Sequence, residues 1–258
     1  MLNFNSFTVN KVLSKILQKG YLKLFSNRIY KSKLIDVATY LKLDINTLIT
    51  RALVKNTENE SLIWNKVKRK TINDYRDYYT ENIHYVERQD LYNLNHLPIL
   101  TEFKNLKLNA NILDYGCGTA YLAYHAKLNR SDLNIYLADI PEAATKDFVL
   151  WRFNRKNIFF NWLDIPNDED LDFNQNYDLI RCHDVFEHSF FPLKVINYFY
   201  NTLNNGGYLS FDYLKDLDFN KETTREAQEQ REEVLKFVNL HFKIIYNYNN
   251  KYVVQKKK

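Results

Sequence analysis

From residue 108 onward, short apolar runs alternate with stretches of helical spacing, which limits this part of the chain to few architectures. The apolar runs cover 110–115, 133–139, 158–163, 177–183, 207–213, 241–248 and 251–255. Helical patterns fill 119–129, 141–155, 192–203 and 221–238. Strands separated by helices of this length form βαβ units around a parallel sheet. The last two runs depart from the rule, because only Asn249-Asn250 stands between them. Two asparagines between apolar runs predict a hairpin, so the final strand is expected to run antiparallel. Residues 1–107 lack the alternation and read as mainly helical, with Val9, Leu13, Ile16 and Leu17 spaced for one helix face. The expected division is a basic helical region over 1–107 and an α/β domain over 108–258.

Glycine is scarce, with 5 in 258 residues. Average usage near 7% would give about eighteen. Four of the five stand in two clusters, Asp114-Tyr115-Gly116-Cys117-Gly118 and Asn205-Gly206-Gly207. A chain this sparing keeps glycine where the backbone needs φ > 0 or where something approaches closely. The first cluster joins the apolar run Asn111-Ile112-Leu113 to the helical stretch that opens at Thr119. Strand, glycine turn and helix N-terminus in that order make a nucleotide-binding elbow. A dinucleotide loop of the form G-x-G-x-x-G would place its last glycine at Tyr121, which argues against NAD or FAD.

Five segments fall in register with one family. Ile112-Leu113-Asp114-Tyr115-Gly116-Cys117-Gly118-Thr119-Ala120 is similar to a D-x-G-x-G-x-G loop, with Ala120 in place of the third glycine. Asp139-Ile140 ends the next apolar run, 21 residues beyond Gly118. Leu163-Asp164 ends the third, and Asp178 through Cys182, His183, Asp184, Glu187 and His188 carries a D-x-x-E-H signature. Leu203-Asn-Asn-Gly206-Gly207 resembles the turn into a fifth strand. Together they resemble the class I S-adenosylmethionine-dependent methyltransferases, of the small-molecule O-methyltransferase type, over roughly residues 75–258. The resemblance implies a Rossmann-like seven-stranded sheet, six strands parallel and one antiparallel. Because the connection Leu214–Asn220 after the fifth strand is short, the N-terminal region is expected, by elimination, to form the substrate lid. It implies S-adenosyl-L-methionine as cofactor and S-adenosyl-L-homocysteine as product. The residues it assigns to the cofactor are Asp114, Tyr115, Gly116, Cys117, Gly118, Asp139, Ile140, Leu163, Asp164, Cys182 and His183. Within that set, Asp139 is expected on the ribose hydroxyls and Asp164 on the adenine amino group.

Transfer to an oxygen acceptor requires removal of its proton, and a histidine suits that work. His183 and His188 flank the turn after the fourth strand, and Glu187 either orients an imidazole or takes the proton itself. The catalytic candidates are therefore His183, Glu187 and His188. A metal-free site is expected. Its alternative is a divalent ion on Asp184, Glu187 and His188, with Asp212 as a fourth ligand. No [Asn/Asp]-Pro-Pro-aromatic tetrad follows the fourth strand and no Pro-Cys pair occurs, which disfavours amino-methylation of nucleobases and covalent C5 chemistry.

Charge is unevenly spread. Residues 1–70 carry 14 Lys/Arg against 4 Asp/Glu, while the whole chain has 36 against 31. Such an arm suits an anionic small acceptor, such as a nucleotide-linked or saccharide intermediate; the alternatives are an RNA acceptor met by this basic region, or a non-catalytic cofactor-binding module. The stretch from Leu34 to Leu53 loosely resembles a helix-turn-helix, with Lys42 where glycine is usual, yet no clear recognition face supports a nucleic-acid partner. Asp74-Tyr75-Arg76-Asp77-Tyr78-Tyr79 is the expected N-terminal contribution to the acceptor pocket. No run of 18 apolar residues exists, so no membrane-spanning helix is expected. Asn3, Asn5 and Ser6 interrupt the first apolar residues, so no secretory signal is read. With Cys117 and Cys182 too few and too scattered for a disulfide framework, the expected compartment is the cytoplasm.

Overall fold

A computed structural model describes residues 28–48, 71–80, 86–87, 89–90, 103, 106–217 and 223–257. The helical reading of residues 9–17 lies outside them. Among the described residues, helices α1 (Arg28–Leu41) and α2 (Ile72–Thr80) precede the sheet. Then follow β1 (Asn111–Tyr115), α3 (Tyr121–Asn129), β2 (Asn134–Asp139), α4 (Lys146–Asn154), β3 (Asn161–Asp164) and β4 (Tyr177–Cys182). A 3₁₀ turn (Phe186–His188) leads to α5 (Pro192–Thr202), β5 (Leu203–Asp212), α6 (Arg225–His241), β6 (Phe242–Tyr248) and β7 (Lys251–Lys256).

The seven strands lie in the order β3-β2-β1-β4-β5-β7-β6. Strands β1 to β5 pair in parallel, and β7 pairs antiparallel with both β5 and β6. The expected terminal hairpin forms because Asn249 and Asn250 both adopt left-handed backbone, at φ 49 and 60. Asparagine tolerates that conformation, and two such residues in series make the turn whose twist suits a hairpin. Chain order reverses between β1 and β4. In open α/β sheets ligands bind at the carboxyl ends of the strands beside such a reversal.

The differences from the sequence reading are local. The expected helix over 141–155 begins at Lys146, because Ile140 to Thr145 form a turn in which Ala143 N donates to Ile140 O. The third strand is four residues long and half exposed, at the sheet's edge. Strand β4, between β1 and β5, is buried at all six positions. One apolar layer joins Phe186, Val195, Phe199 and Phe211 to Val234 and Val238 of α6. The other joins Ile112 and Leu137 to Ala123, Tyr124, Val149 and Phe153 of α3 and α4.

Helix α1 ends in a paired-carbonyl cap. Lys42 sits at φ 54, with Lys42 N donating to Thr39 O and Leu43 N to Ala38 O. Asp44 then caps the next turn by accepting from Thr47 N at 2.9 Å. So the helix-turn-helix stretch does bend at Lys42, but Leu34, Val37, Ala38 and Leu48 pack on Phe148 of α4. That apolar face is spent on the domain.

A cluster of buried charge reinforces the junction. Arg152 of α4, 1% exposed, pairs with Asp90, 0% exposed, and lies 3.4 Å from Asp36 of α1. Arg155 reaches the other Asp36 oxygen at 2.6 Å. Beside them His125, its ring tilted 57° to that of Tyr121 with centroids 4.3 Å apart, is held down to a pKa of about 4, chiefly by burial and then by Arg152. The unfolded chain takes up that proton near pH 6.5, so this contribution to stability is complete above 6.5 and is lost as pH falls toward 4. The loss amounts to roughly 3 kcal/mol. Urea midpoints at pH 7 and pH 4.5 are expected to differ less in His125→Phe than in the parent. An unchanged acid loss would show that His125 is not its source.

Candidate functional site

The glycine loop is the centre of the site. Gly116 and Gly118 adopt φ +65 and +50, and Ala120 follows at φ 49. A left-handed alanine costs about 1 kcal/mol, which is why glycine fits that position better. Gly116 N and Cys117 N both donate to Ala138 O of β2, at 2.8 and 3.0 Å. A Cβ on Gly116 would overlap Val185, and one on Gly118 would overlap the carboxamide of Gln89. Gln89 also accepts from Thr119 N at 2.9 Å, while Thr119 O accepts from Arg152 at 3.1 Å. The loop is thus tied to an upstream residue and, through Arg152, to the buried charges.

Asp139, at the end of β2, turns its carboxylate toward this loop. It accepts from Gly118 N and from Ile140 N, each at 2.8 Å. Burial raises its pKa to about 6, against the opposing pull of those two donors. A cavity of about 180 Å³ opens beside it. Of the residues assigned from sequence, Tyr115, Gly116, Gly118, Asp139, Ile140 and Cys182 border this cavity, as does His188. Its other walls include Ile165, Phe186, Phe190 and Arg76. Arg76 spans the rim, donating to Pro166 O at 2.9 Å and to Glu142 at 3.0 Å. It comes from the stretch Asp74–Tyr79 singled out in the sequence.

A second, more polar cavity of about 90 Å³ adjoins the first, and Gln89, Gly116, Gly118 and Asp184 border both. Asp114, Cys117 and His183 line it. Its remaining polar wall was not foreseen. Arg181 stands opposite Asp114 in the β1–β4 register and donates to it at 3.0 Å. Its Nε is buried and meets no acceptor among the described residues. Lys33 of α1, 3% exposed, lies over the Tyr121 ring with Nζ 3.5 Å from the centroid. Burial lowers its pKa to about 8, which leaves it mainly cationic at pH 7.

Three assigned residues border neither cavity. Leu163 lies outside the walls, and Asp164 is bound by Lys146 at 3.1 Å and Trp162 Nε1 at 2.9 Å. Glu187 is buried, at 4% exposure. The ligand set of the metal alternative differs among the described residues. The carboxylates that converge within 4.8 Å are those of Asp184, Glu187 and Asp212, and His188 is not among them.

The family model described as a methyltransferase domain matches residues 83–242. This chain belongs to that family, the class I S-adenosylmethionine-dependent methyltransferases. Within the family, it is similar to the malonyl-[acyl-carrier protein] O-methyltransferase of Acetivibrio thermocellus, at 31% identity over 132 residues. That match covers 49% of this chain and 45% of the relative, so the chain spans about half the length of the curated relative. Its fold is similar to that of an O-methyltransferase family protein from Burkholderia thailandensis, with a TM-score of 0.52 and 11% identity, covering 100% of this chain and 99% of that one. It is also similar to PigF with SAH, with a TM-score of 0.52 and 13% identity, covering 71% and 62%. No helix among the described residues is long and apolar enough to cross a membrane.

The methyltransferase cofactor fits the two cavities by its chemistry. One end of S-adenosylmethionine is an amino acid, and the polar cavity offers a buried cation, Lys33, and an orphaned donor, Arg181 Nε. The other end is an adenosine, matched by the larger, mainly apolar cavity with Asp139 in its wall. There Asp168 also carries a buried Oδ1 without a donor among the described residues.

Proposed function

We propose that the chain catalyses methyl transfer from S-adenosylmethionine to an oxygen of a small acceptor, with the N-terminal region over 1–107 acting as lid. The observation that carries the oxygen assignment is that His188 and Asp184, both able to take a proton, border the main cavity. An O–H nucleophile needs such a group, and the similar O-methyltransferase of Acetivibrio thermocellus adds weight to the reading. Support for the lid is that Lys33, Arg76 and Gln89, all upstream of the sheet, reach the cavity walls.

When bound, the cofactor supplies a sulfonium methyl group open to in-line displacement. Asp139 would accept hydrogen bonds from the ribose hydroxyls, and Ile140 and Ile165, in the same cavity wall, would offer apolar surface to the adenine. Lys33 and Arg181 would hold the carboxylate of the amino-acid end, with Asp114 keeping Arg181 in place. His188 receives the acceptor's proton. The apolar walls, Phe186 and Phe190 among them, keep water from the methyl group.

The test is transfer of labelled methyl across a panel of hydroxyl, carboxyl and amine compounds, malonyl-acyl-carrier protein included. Labelling confined to oxygen acceptors is expected, and labelling confined to amines would overturn the assignment. A separate result is expected of Lys33→Met. It should weaken S-adenosylhomocysteine by roughly tenfold, the worth of one charge-assisted hydrogen bond, and leave methylthioadenosine unaffected. Equal losses for the two ligands in calorimetric titration would remove Lys33 from the amino-acid end.

A further inference from the structure

We infer that Asp212 is a positioning residue of the transfer site, and that His183 is the strut it holds rather than the group that accepts the proton. This rests on the methyltransferase reading above and reassigns one of its catalytic candidates.

Strands β4 and β5 pair in parallel with Cys182 opposite Phe211, so the residues just past Cys182 come to rest beside Asp212. Asp212, 6% exposed, uses both oxygens there. Its Oδ1 accepts from Asp184 N at 2.6 Å, and its Oδ2 lies 3.2 Å from His183 Nδ1. The other ring nitrogen, His183 Nε2, lies 2.9 Å from Ser210 Oγ, on a residue that is 0% exposed.

An ionised carboxylate can only accept, so the proton between Asp212 and His183 belongs to Nδ1. In the neutral ring Nε2 is then the acceptor, and Ser210 supplies the donor. The lone pair that a general base would offer the substrate is therefore aimed into the sheet. His183 is tied at both nitrogens to β5.

The consequence appears at the next residue. Asp184 is a non-glycine at φ 54, strained backbone of the kind that persists only when its surroundings hold it. Asp212 supplies that hold through the Asp184 N–H. Asp184 borders both cavities, so the strained turn sets the wall where the two ligand ends meet. Ligand atoms of Asp184, Glu187 and Asp212 lie within 4.8 Å of one another, so the Asp212 contacts also fix how these three acids are grouped.

Asp212→Asn and Asp212→Ala, in the full chain, separate the two roles. Asparagine keeps an acceptor for Asp184 N–H but presents an NH₂ to His183, which drives the ring proton from Nδ1 to Nε2. Two-bond ¹H–¹⁵N spectra of histidine-labelled protein, with His183→Gln for assignment, read that proton directly. The expected result is Nδ1–H in the parent and Nε2–H in Asp212→Asn. Alanine also frees the Asp184 turn, so S-adenosylhomocysteine affinity should fall about tenfold in Asp212→Ala and by less than about threefold in Asp212→Asn. An Nε2–H ring in the parent, or parental affinity in Asp212→Ala, would overturn the proposal. Should Asp212→Ala fail to fold, the spectra of the parent and of Asp212→Asn decide alone. A parent that does not bind S-adenosylhomocysteine would defeat the methyltransferase reading instead, while its ring tautomer would still test the strut.

Discussion

Replacing Arg152 by methionine should remove about 3–5 kcal/mol of stability, the loss expected when one partner of a buried ion pair is deleted. Asp90 and Asp36 would be left at 0% and 3% exposure without the guanidinium between them, and Thr119 O would lose its donor. Methionine fills much of the vacated space, so the effect reports charge more than volume. Burial already pushes the Asp36 pKa upward despite the pull of Arg152 and then Arg155, which shows how costly its charge is in that setting. At about 2–4 °C per kcal/mol for a chain of this size, Tm should fall by roughly 6–20 °C. A thermal scan checks it. A loss below about 1 kcal/mol would mean that Asp90, left without Arg152, simply protonates while Arg155 still holds Asp36, and that the cluster matters little.

Asp139→Ala should have the largest effect on ligand binding. Leaving the ribose hydroxyls unpaired in a cavity costs about 1–3 kcal/mol, hence roughly tenfold to a hundredfold in S-adenosylhomocysteine affinity. Asp139→Asn should be little better. Asp139 accepts from two backbone N–H groups, of Gly118 and Ile140, and an amide would set one NH₂ against a donor. The pH dependence follows from the raised pKa. The ribose hydroxyls donate to the ionised carboxylate, so affinity should be level above pH 6 and fall as the pH drops through about 6. In the Asp139→Asn variant that limb should vanish. The same raised pKa works in the opposite sense on the free protein, whose folded state gains a proton between pH 6 and the ordinary carboxylate range near 4. Titrations at pH 5, 6 and 7.5 distinguish the two trends from a general loss of folding.

Much of the sheet could be read in advance because its signals are local. The Asn249-Asn250 turn announces itself by residue type, and Asp139 by ending an apolar run at the distance the glycine loop requires. Asp164 shows the limit of such reading. A loop acid after a strand looks the same in sequence whatever it meets, and the contacts Asp164 makes with Lys146 and Trp162 depend on rotamers that sequence does not give. Arg181 was legible in principle, since a cation inside a wholly buried strand must find a partner, and Asp114 lies across from it on β1. Lys33 and Gln89 were not, because their nearness to the loop comes from how α1 and the chain near 89 pack, over long sequence separations. His183 illustrates a subtler gap. Its position was evident, but its two partners lie on β5, and which nitrogen meets which residue depends on register and rotamer.

The most direct measurement is a crystal structure of the chain with S-adenosylhomocysteine. The expected result has the ribose hydroxyls on Asp139, the adenine beside Ile140 and Ile165, and the amino-acid carboxylate against Lys33 and Arg181. The cofactor would then cross the Gly116–Gly118 loop and leave its sulfur beside Asp184. A cofactor lying in the reverse sense, or bound away from this loop, would contradict the central claim.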